Sequence, residues 1–241
     1  MTGVFTLHRT SVGKKVIMAL TGFMLVGFVV FHMYGNTKMF MGAEAFNDYA
    51  KGLRYLGYPV FGYEHLLWAA RPILLAAVIL HVWSASALVT QSRKTVKANA
   101  VGGMKRYGEQ KRQTSYAAYT MRYGGILIFL FIVFHILHLT FGAVGYAEGQ
   151  FNHPGKDNYD IYNNVIYGFQ NVPVSIFYIL TMIFLGFHLF HGVWSMFQTL
   201  GLNSATYDKL LRAVAVAVCA LVVIGNISFP LAVLTGMIQP V

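Results

Sequence analysis

The chain reads as an all-α membrane protein: five transmembrane helices forming one domain. Three observations carry that reading. Of its 241 residues, 56% are hydrophobic and only 11% are charged, a balance too apolar for a soluble domain. Five stretches are long enough to cross about 30 Å of hydrocarbon at about 1.5 Å per residue. The basic residues collect in alternate connections, as they do in short loops on one side of a membrane.

The spans run over roughly 16–36, 66–91, 120–145, 172–200 and 210–237. Lys14 and Lys15 ahead of the first imitate the start of a signal peptide, but the apolar run is too long for one and no convincing cleavage site follows, so the span is expected to be retained. The second closes on Arg93 and Lys94, the third carries Arg122 near its start, and the fourth ends near Leu200. The fifth holds Cys219, read as a small packing residue, and Pro230, a tolerated kink.

Orientation follows from charge. Arg9, Lys14 and Lys15 precede the first span; Arg93, Lys94, Lys97, Lys105, Arg106, Lys111 and Arg112 follow the second; Lys209 and Arg212 lie between the last two. The opposite connections hold Lys38, Lys51, Arg54 and Lys156, offset by Glu44, Asp48, Glu64, Glu148, Asp157 and Asp160. The expectation is a cytoplasmic N-terminus and an external C-terminus. This asymmetry accounts for the net charge of +10 without nucleic acid. The basic cytoplasmic loop from Arg93 to Arg112 also suits anionic lipid or a soluble partner.

Four spans each carry a histidine deep inside: His32, His81, His135 and His188. Imidazoles in hydrocarbon are costly and usually functional. His32 lies 17 residues after Lys15 and His135 lies 13 after Arg122, both on outward-running helices, which puts them in the outer half. His81 precedes Arg93 by 12 residues and His188 precedes the end of its span by about as many, both on inward-running helices, which puts them in the inner half. Two facing imidazoles at each of two depths suit the axial positions of two haem irons inside a helix bundle. Zinc would gather three or four ligands at one depth. A lone intramembrane histidine is also a common interhelical hydrogen-bonding residue, but four at paired depths favour the cofactor.

Spacing alone does not choose within F-H-I-L-H or F-H-L-F-H, because His138 follows His135 by three, His191 follows His188 by three, and residues three apart share a helix face. His8, His65 and His153 fall at or beyond the interfaces and read as solvated. Gly22, Gly27, Gly35, Gly124, Gly125, Gly186 and Gly192 recur within the spans, where a missing side chain allows close helix packing or leaves room for a flat macrocycle. No C-x-x-C-H motif for covalent haem attachment, no phosphate loop and no nucleophile triad is present.

These residues resemble the dihaem cytochrome b membrane anchor of succinate:quinone oxidoreductases, in the group of succinate dehydrogenases and fumarate reductases with a single five-helix anchor. The resemblance covers most of the chain. It is carried by S-V-G-K-K-V-I-M-A-L-T-G-F from Ser11, F-H-M-Y-G-N around His32, G-A-E-A-F-N from Gly42, Arg122 with Gly125 and His135, and F-H-L-F-H-G-V-W-S from Phe187. It implies that His135 and His188 are the ligands of their pairs and that His138 and His191 lie in the surroundings of those ligands. It also implies that His32 and His135 share the haem distal to the soluble subunits while His81 and His188 share the proximal one, a pairing that depth gives independently.

The resemblance further implies two haem b groups, a quinone (menaquinone), and a flavoprotein and an iron–sulfur subunit docked on the cytoplasmic face of a bacterial cytoplasmic membrane. A higher oligomer of that complex stays open. Succinate chemistry would belong to another chain. Quinone chemistry is implied near the outer face, where Glu64 is the one carboxylate adjoining a span, beside His65 and seven residues before Arg71; the alternative is a Glu64 in headgroup water or paired with a base. In one respect the chain departs from the pattern. Some fumarate reductases of the family carry a proton-moving glutamate two residues before the fourth-span ligand, and Gly186 stands there. Two other readings compete: the dihaem cytochrome b of a hydrogenase, formate dehydrogenase or nitrate reductase, and a transporter or proton channel with a histidine relay.

Overall fold

A computed structural model describes residues 9–101, 113–155 and 159–241, and the side chains of all of these except 95–101 and 113–118. His8, Lys105, Arg106, Lys111, Arg112, Lys156 and Asp157 lie outside the described residues. The helices are α1 (Ser11–Asn36), α2 (Ala43–Arg54), α3 (His65–Val101), α4 (Gln113–Leu139), α5 (Ile161–Gln170), α6 (Val172–Thr199) and α7 (Asp208–Leu234). Five of them are long and apolar enough to cross a membrane, over Ser11–Met41, His65–Lys94, Tyr119–Leu139, Val172–Thr199 and Asp208–Leu234. Their outward faces are apolar: Phe31, Leu75, Leu130, Leu180 and Ile224 are all exposed. In lipid that costs nothing, because the hydrocarbon is as apolar as the side chain.

The helix ends follow local chemistry. The Thr10 side chain accepts a hydrogen bond from the Gly13 N–H at the start of α1, and Asn171 does the same for Val174 at the start of α6, so each satisfies one of the first-turn donors. Pro173 in the first turn of α6 has no N–H to leave unpaired. The third span is shorter than its hydropathy suggests. Residues 140–145 continue apolar, but α4 stops at Leu139 because Gly142 (φ 61°) and Gly145 (φ 85°) take left-handed backbone that ends a helix.

The second difference concerns the connections. The stretch after the first span, from Gly42 through Asn47, belongs not to an open loop but to a 3-10 turn (Thr37–Met41) and the amphipathic helix α2, and the stretch before the fourth span forms α5. Both short helices lie across one end of the bundle. Asn47 of α2 ties them together, its Oδ1 accepting the N–H groups of Ile161 and Tyr162. Tyr162 donates to the carbonyl of Gln239, and Asn164 is bonded in both directions to the backbone of Asn152. This is the capped end; the other, where α1, α4 and α7 begin, is the open end.

The larger core lies toward the capped end, where Met33, Met39, Phe46, Phe131, Ile166, Phe169, Tyr178, Met182 and Phe229 pack together. A smaller cluster of Ala19, Val193, Met196 and Ala215 holds the open end. Glycine lets α6 and α7 pack tightly. A Cβ on Gly186 would meet Val223 of α7 at 2.5 Å, and the Cys219 thiol donates to the Gly186 carbonyl at 3.2 Å. Cys219 and the buried Pro230 are both packing residues of α7.

Candidate functional site

Among the four histidine-bearing helices, α1 packs on α3 and on α6, and α4 packs on α6; the histidines meet across two of the remaining pairings, α1 with α4 and α3 with α6. His32 of α1 faces His135 of α4 with ring centroids 5.9 Å apart and planes at 87°. His81 of α3 faces His188 of α6 at 6.3 Å and 60°. The helices carrying each pair are not close-packed neighbours, so each pair spans a gap rather than a helix seam. His32 is exposed and the other three rings are half-buried. The first pair lies toward the capped end and the second toward the open end, because α1 and α4 run to the cap whereas α3 and α6 run away from it.

These separations have a chemical meaning. With metal–nitrogen bonds of about 2 Å, two imidazoles on opposite sides of one metal ion hold their centroids about 6 Å apart. Among the described residues no three His, Cys, Asp or Glu side chains gather at one point, so the arrangement is two nitrogens per site at two sites. That donor set suits a six-coordinate haem iron, whose remaining four positions belong to the macrocycle.

The environments of the rings fit that use. His81 Nδ1 lies 3.2 Å from both the Met18 carbonyl and Thr21 Oγ1. A protonated Nδ1 donating there fixes the tautomer with a bare Nε2, the usual arrangement behind a metal-ligating histidine. Gly22 makes room: a Cβ on it would sit 3.4 Å from His81 Cε1. On the opposite side Gly125 of α4 does the same for His188, whose Cε1 would be 3.6 Å from an added Cβ. Unlike His81, His188 has no partner for its buried Nδ1 among the described residues.

At the capped end, His135 Nδ1 lies 3.1 Å from the Tyr178 hydroxyl, and His138 Nδ1 lies 2.9 Å from the same oxygen. His138 is fully buried, stacked against Phe134 and beside Tyr146 and Phe169. It faces neither of the paired histidines' partners across the gap, but touches His135 through Tyr178. His191 stacks edge-on against Phe190 and is half-buried. Nothing in the sequence marks Tyr178. Its signal, an aromatic hydroxyl in an apolar span, is too common to single out.

Glu64 adjoins α3 at the capped end, paired with Arg54 of α2 (Nε to Oε1, 2.9 Å). It is the one non-glycine residue with positive φ among those described, at 64°, and its N–H donates to the Arg54 carbonyl at 2.7 Å. The Arg54 guanidinium also lies over the Tyr159 ring, and Tyr159 and Tyr63 share a 2.6 Å hydrogen bond. Partial burial first, and the bonded Tyr159 second, push the Tyr63 phenol above the ordinary tyrosine range. Arg71 is not part of this group; it stacks on Trp68. His65 and His153 are exposed, the former accepting the Gly62 N–H.

Comparison with protein-family models, with curated proteins and with solved structures finds no match.

Proposed function

We propose that this chain is the membrane anchor and electron-transfer subunit of a succinate:quinone oxidoreductase, carrying two b haems between an iron–sulfur partner and membrane quinone. The observation that carries the reading is the meeting of four imidazoles as two facing pairs, at two levels, with centroids 5.9 and 6.3 Å apart. His32 with His135 and His81 with His188 would hold the two groups. When bound, haem iron supplies one-electron redox chemistry.

The chain's own contribution is placement. The Met18 carbonyl and Thr21 orient His81, Tyr178 orients His135, and Gly22 and Gly125 leave the space in which the open-end rings sit. The basic residues described at the open end, Arg9, Lys14, Lys15, Arg93, Lys94, Lys209 and Arg212, favour a cytoplasmic face there. A flavoprotein and an iron–sulfur subunit would dock on that face, and the capped end would then face outward. Glu64 is the group we assign to proton exchange with quinone. Non-glycine residues held in left-handed backbone are rare, and such strain concentrates at functional sites.

The test is purification of the complex from its native membrane followed by a dithionite-reduced absorption spectrum. A b-type α band with two haems per chain, together with co-purifying flavin and iron–sulfur subunits, is expected. No haem would favour a histidine-relay transporter. Haem with hydrogenase, formate dehydrogenase or nitrate reductase subunits would move the chain to another redox complex.

A further inference from the structure

We infer that Tyr178 and His138 form a hydrogen-bonded brace that fixes His135 and sets the redox potential of the haem it ligates, making the capped-end cofactor tunable by residues that never touch it. This rests on the haem reading above.

The geometry leaves one consistent proton arrangement. The Tyr178 oxygen stands 3.1 Å from His135 Nδ1 and 2.9 Å from His138 Nδ1. One hydroxyl carries one proton, so it donates to one imidazole and accepts from the other. If it donated to His135, the His135 proton would sit on Nε2, the nitrogen left for a metal. Ligation therefore selects the opposite sense: His135 Nδ1–H donates to Tyr178, and Tyr178 O–H donates to His138 Nδ1. His138 is then neutral, with its proton on Nε2.

His138 is held too firmly to offer another arrangement. It is fully buried, and its Nε2 has no hydrogen-bond partner among the described residues. A Cβ on Gly168 would fall 2.6 Å from that Nε2, and one on Gly145 would fall 2.7 Å from Cδ2. The absence of a side chain at these two glycines thus leaves room for the ring. A buried polar group kept with half its capacity unmet is destabilising, so its retention calls for a role. Accepting from Tyr178 polarises the phenol oxygen, which then accepts more strongly from His135, since hydrogen bonds in series reinforce one another. A ligand imidazole whose N–H is strongly accepted donates more electron density to its metal. That favours the oxidised iron and lowers the potential. The open-end ligand His81 has a different acceptor, the Met18 carbonyl with Thr21, so only one haem is under this control.

The experiment is a redox titration of the purified complex, with low-temperature EPR of the two low-spin ferric signals, for wild type, Tyr178→Phe, His138→Phe and the double variant. Tyr178→Phe keeps the ring and its packing. It should raise the potential of one haem by about tenfold in the oxidised-to-reduced ratio, about 59 mV for one electron, and move that haem's g-values while the other haem stays put. His138→Phe should shift the same haem in the same direction by less, and the double variant should equal Tyr178→Phe alone, because His138 acts only through the hydroxyl. If Tyr178→Phe does not assemble, His138→Phe alone decides by the same potential. Two bound haems with unchanged potentials and g-values in the variants overturn the inference and leave the haem reading standing; additive shifts overturn the role of His138. A wild type without haem overturns both.

Discussion

The two ends of the bundle hold their histidine pairs by different means. At the open end the rings rest on backbone and space: His81 on the Met18 carbonyl and Thr21, with Gly22 and Gly125 clearing a place for each imidazole. The surrounding cluster is small, with alanines and one valine among its buried members. At the capped end the ring of His135 is enmeshed in side chains, bonded to Tyr178 and packed against Phe131, with α2 and α5 closing over the top. The difference teaches where redundancy lies. A ring held by glycine and a main-chain carbonyl can be lost without unpacking its neighbours, whereas a ring inside a bonded aromatic cluster is also part of the fold.

On the proposed reading, in which each facing pair holds a haem, the largest effect that sharpens this contrast is loss of a ligand. His81→Ala should remove the open-end haem and leave the other spectrally intact, with the complex still assembled. His135→Ala should remove the capped-end haem and also lower thermal stability by more than His81→Ala does. It removes one hydrogen bond from Tyr178, which keeps His138, a loss of typically about 0.5–1.5 kcal/mol, together with the packing of the ring against Phe131, on top of the stabilisation that a cofactor bound only to the folded state provides. Haem content by pyridine haemochrome and unfolding temperature read the two consequences separately. Two normal haems in His81→Ala would undo the ligand assignment, and equal destabilisation by both changes would undo the contrast.

A second effect is confined to function. Glu64→Gln keeps the size of the side chain and removes its charge, so the pair with Arg54 is weakened. Both partners are partly exposed, with side-chain accessibilities of 25% and 16%, and such a pair contributes at most about 1 kcal/mol. Stability should hardly change. If the proposed function holds, quinone-linked turnover should collapse in a complex that keeps both haems, while succinate oxidation with an artificial dye acceptor persists. Normal quinone turnover would reduce Glu64 to the other reading, a carboxylate neutralised by a base.

What the sequence made legible follows the same division between ends. The five spans depend on length and apolarity, quantities a single chain displays, and all five are present, although Gly142 and Gly145 end α4 early, α3 runs on past residue 91 to Val101 and α7 stops at Leu234. The four deep histidines stand out in the sequence because imidazole is rare in hydrocarbon, and counting residues from the basic flanks groups them as the same two pairs that face each other in the structure. Tyr178 was not visible. That one hydroxyl reaches both His135 and His138 depends on the rotation of α6 about its axis against α4, which no spacing within either segment reports. The helices α2 and α5 are less conspicuous for another reason: both are short and lie outside the spans, although Asp160 as an N-cap and the apolar positions Ile161, Val165, Ile166 and Phe169 carry a readable helical pattern.

The smallest effect tests whether the cap is a structure in its own right. Asn47 Oδ1 accepts the N–H groups of Ile161 and Tyr162 at 3.0 Å each, so a side chain from α2 satisfies two of the orphan donors at the start of α5, alongside Asp160, which takes the Asn163 N–H. Asn47→Ala removes a cap, at about 1 kcal/mol, which for a domain of this size corresponds to roughly 2–4 °C in unfolding temperature. Asn47→Asp keeps the acceptor and places a negative charge at a helix N-terminus, where the dipole favours it, and should restore most of the loss. If the two ends are as separable as their packing suggests, Asn47→Ala should leave the open-end haem's potential and EPR signal unchanged. Any movement should be confined to the capped-end haem, because Ile166 and Phe169 of α5 pack in the same cluster as Tyr178. A shift at both haems would mean that the bundle transmits the cap's condition along its length, and the division into two ends would then be wrong.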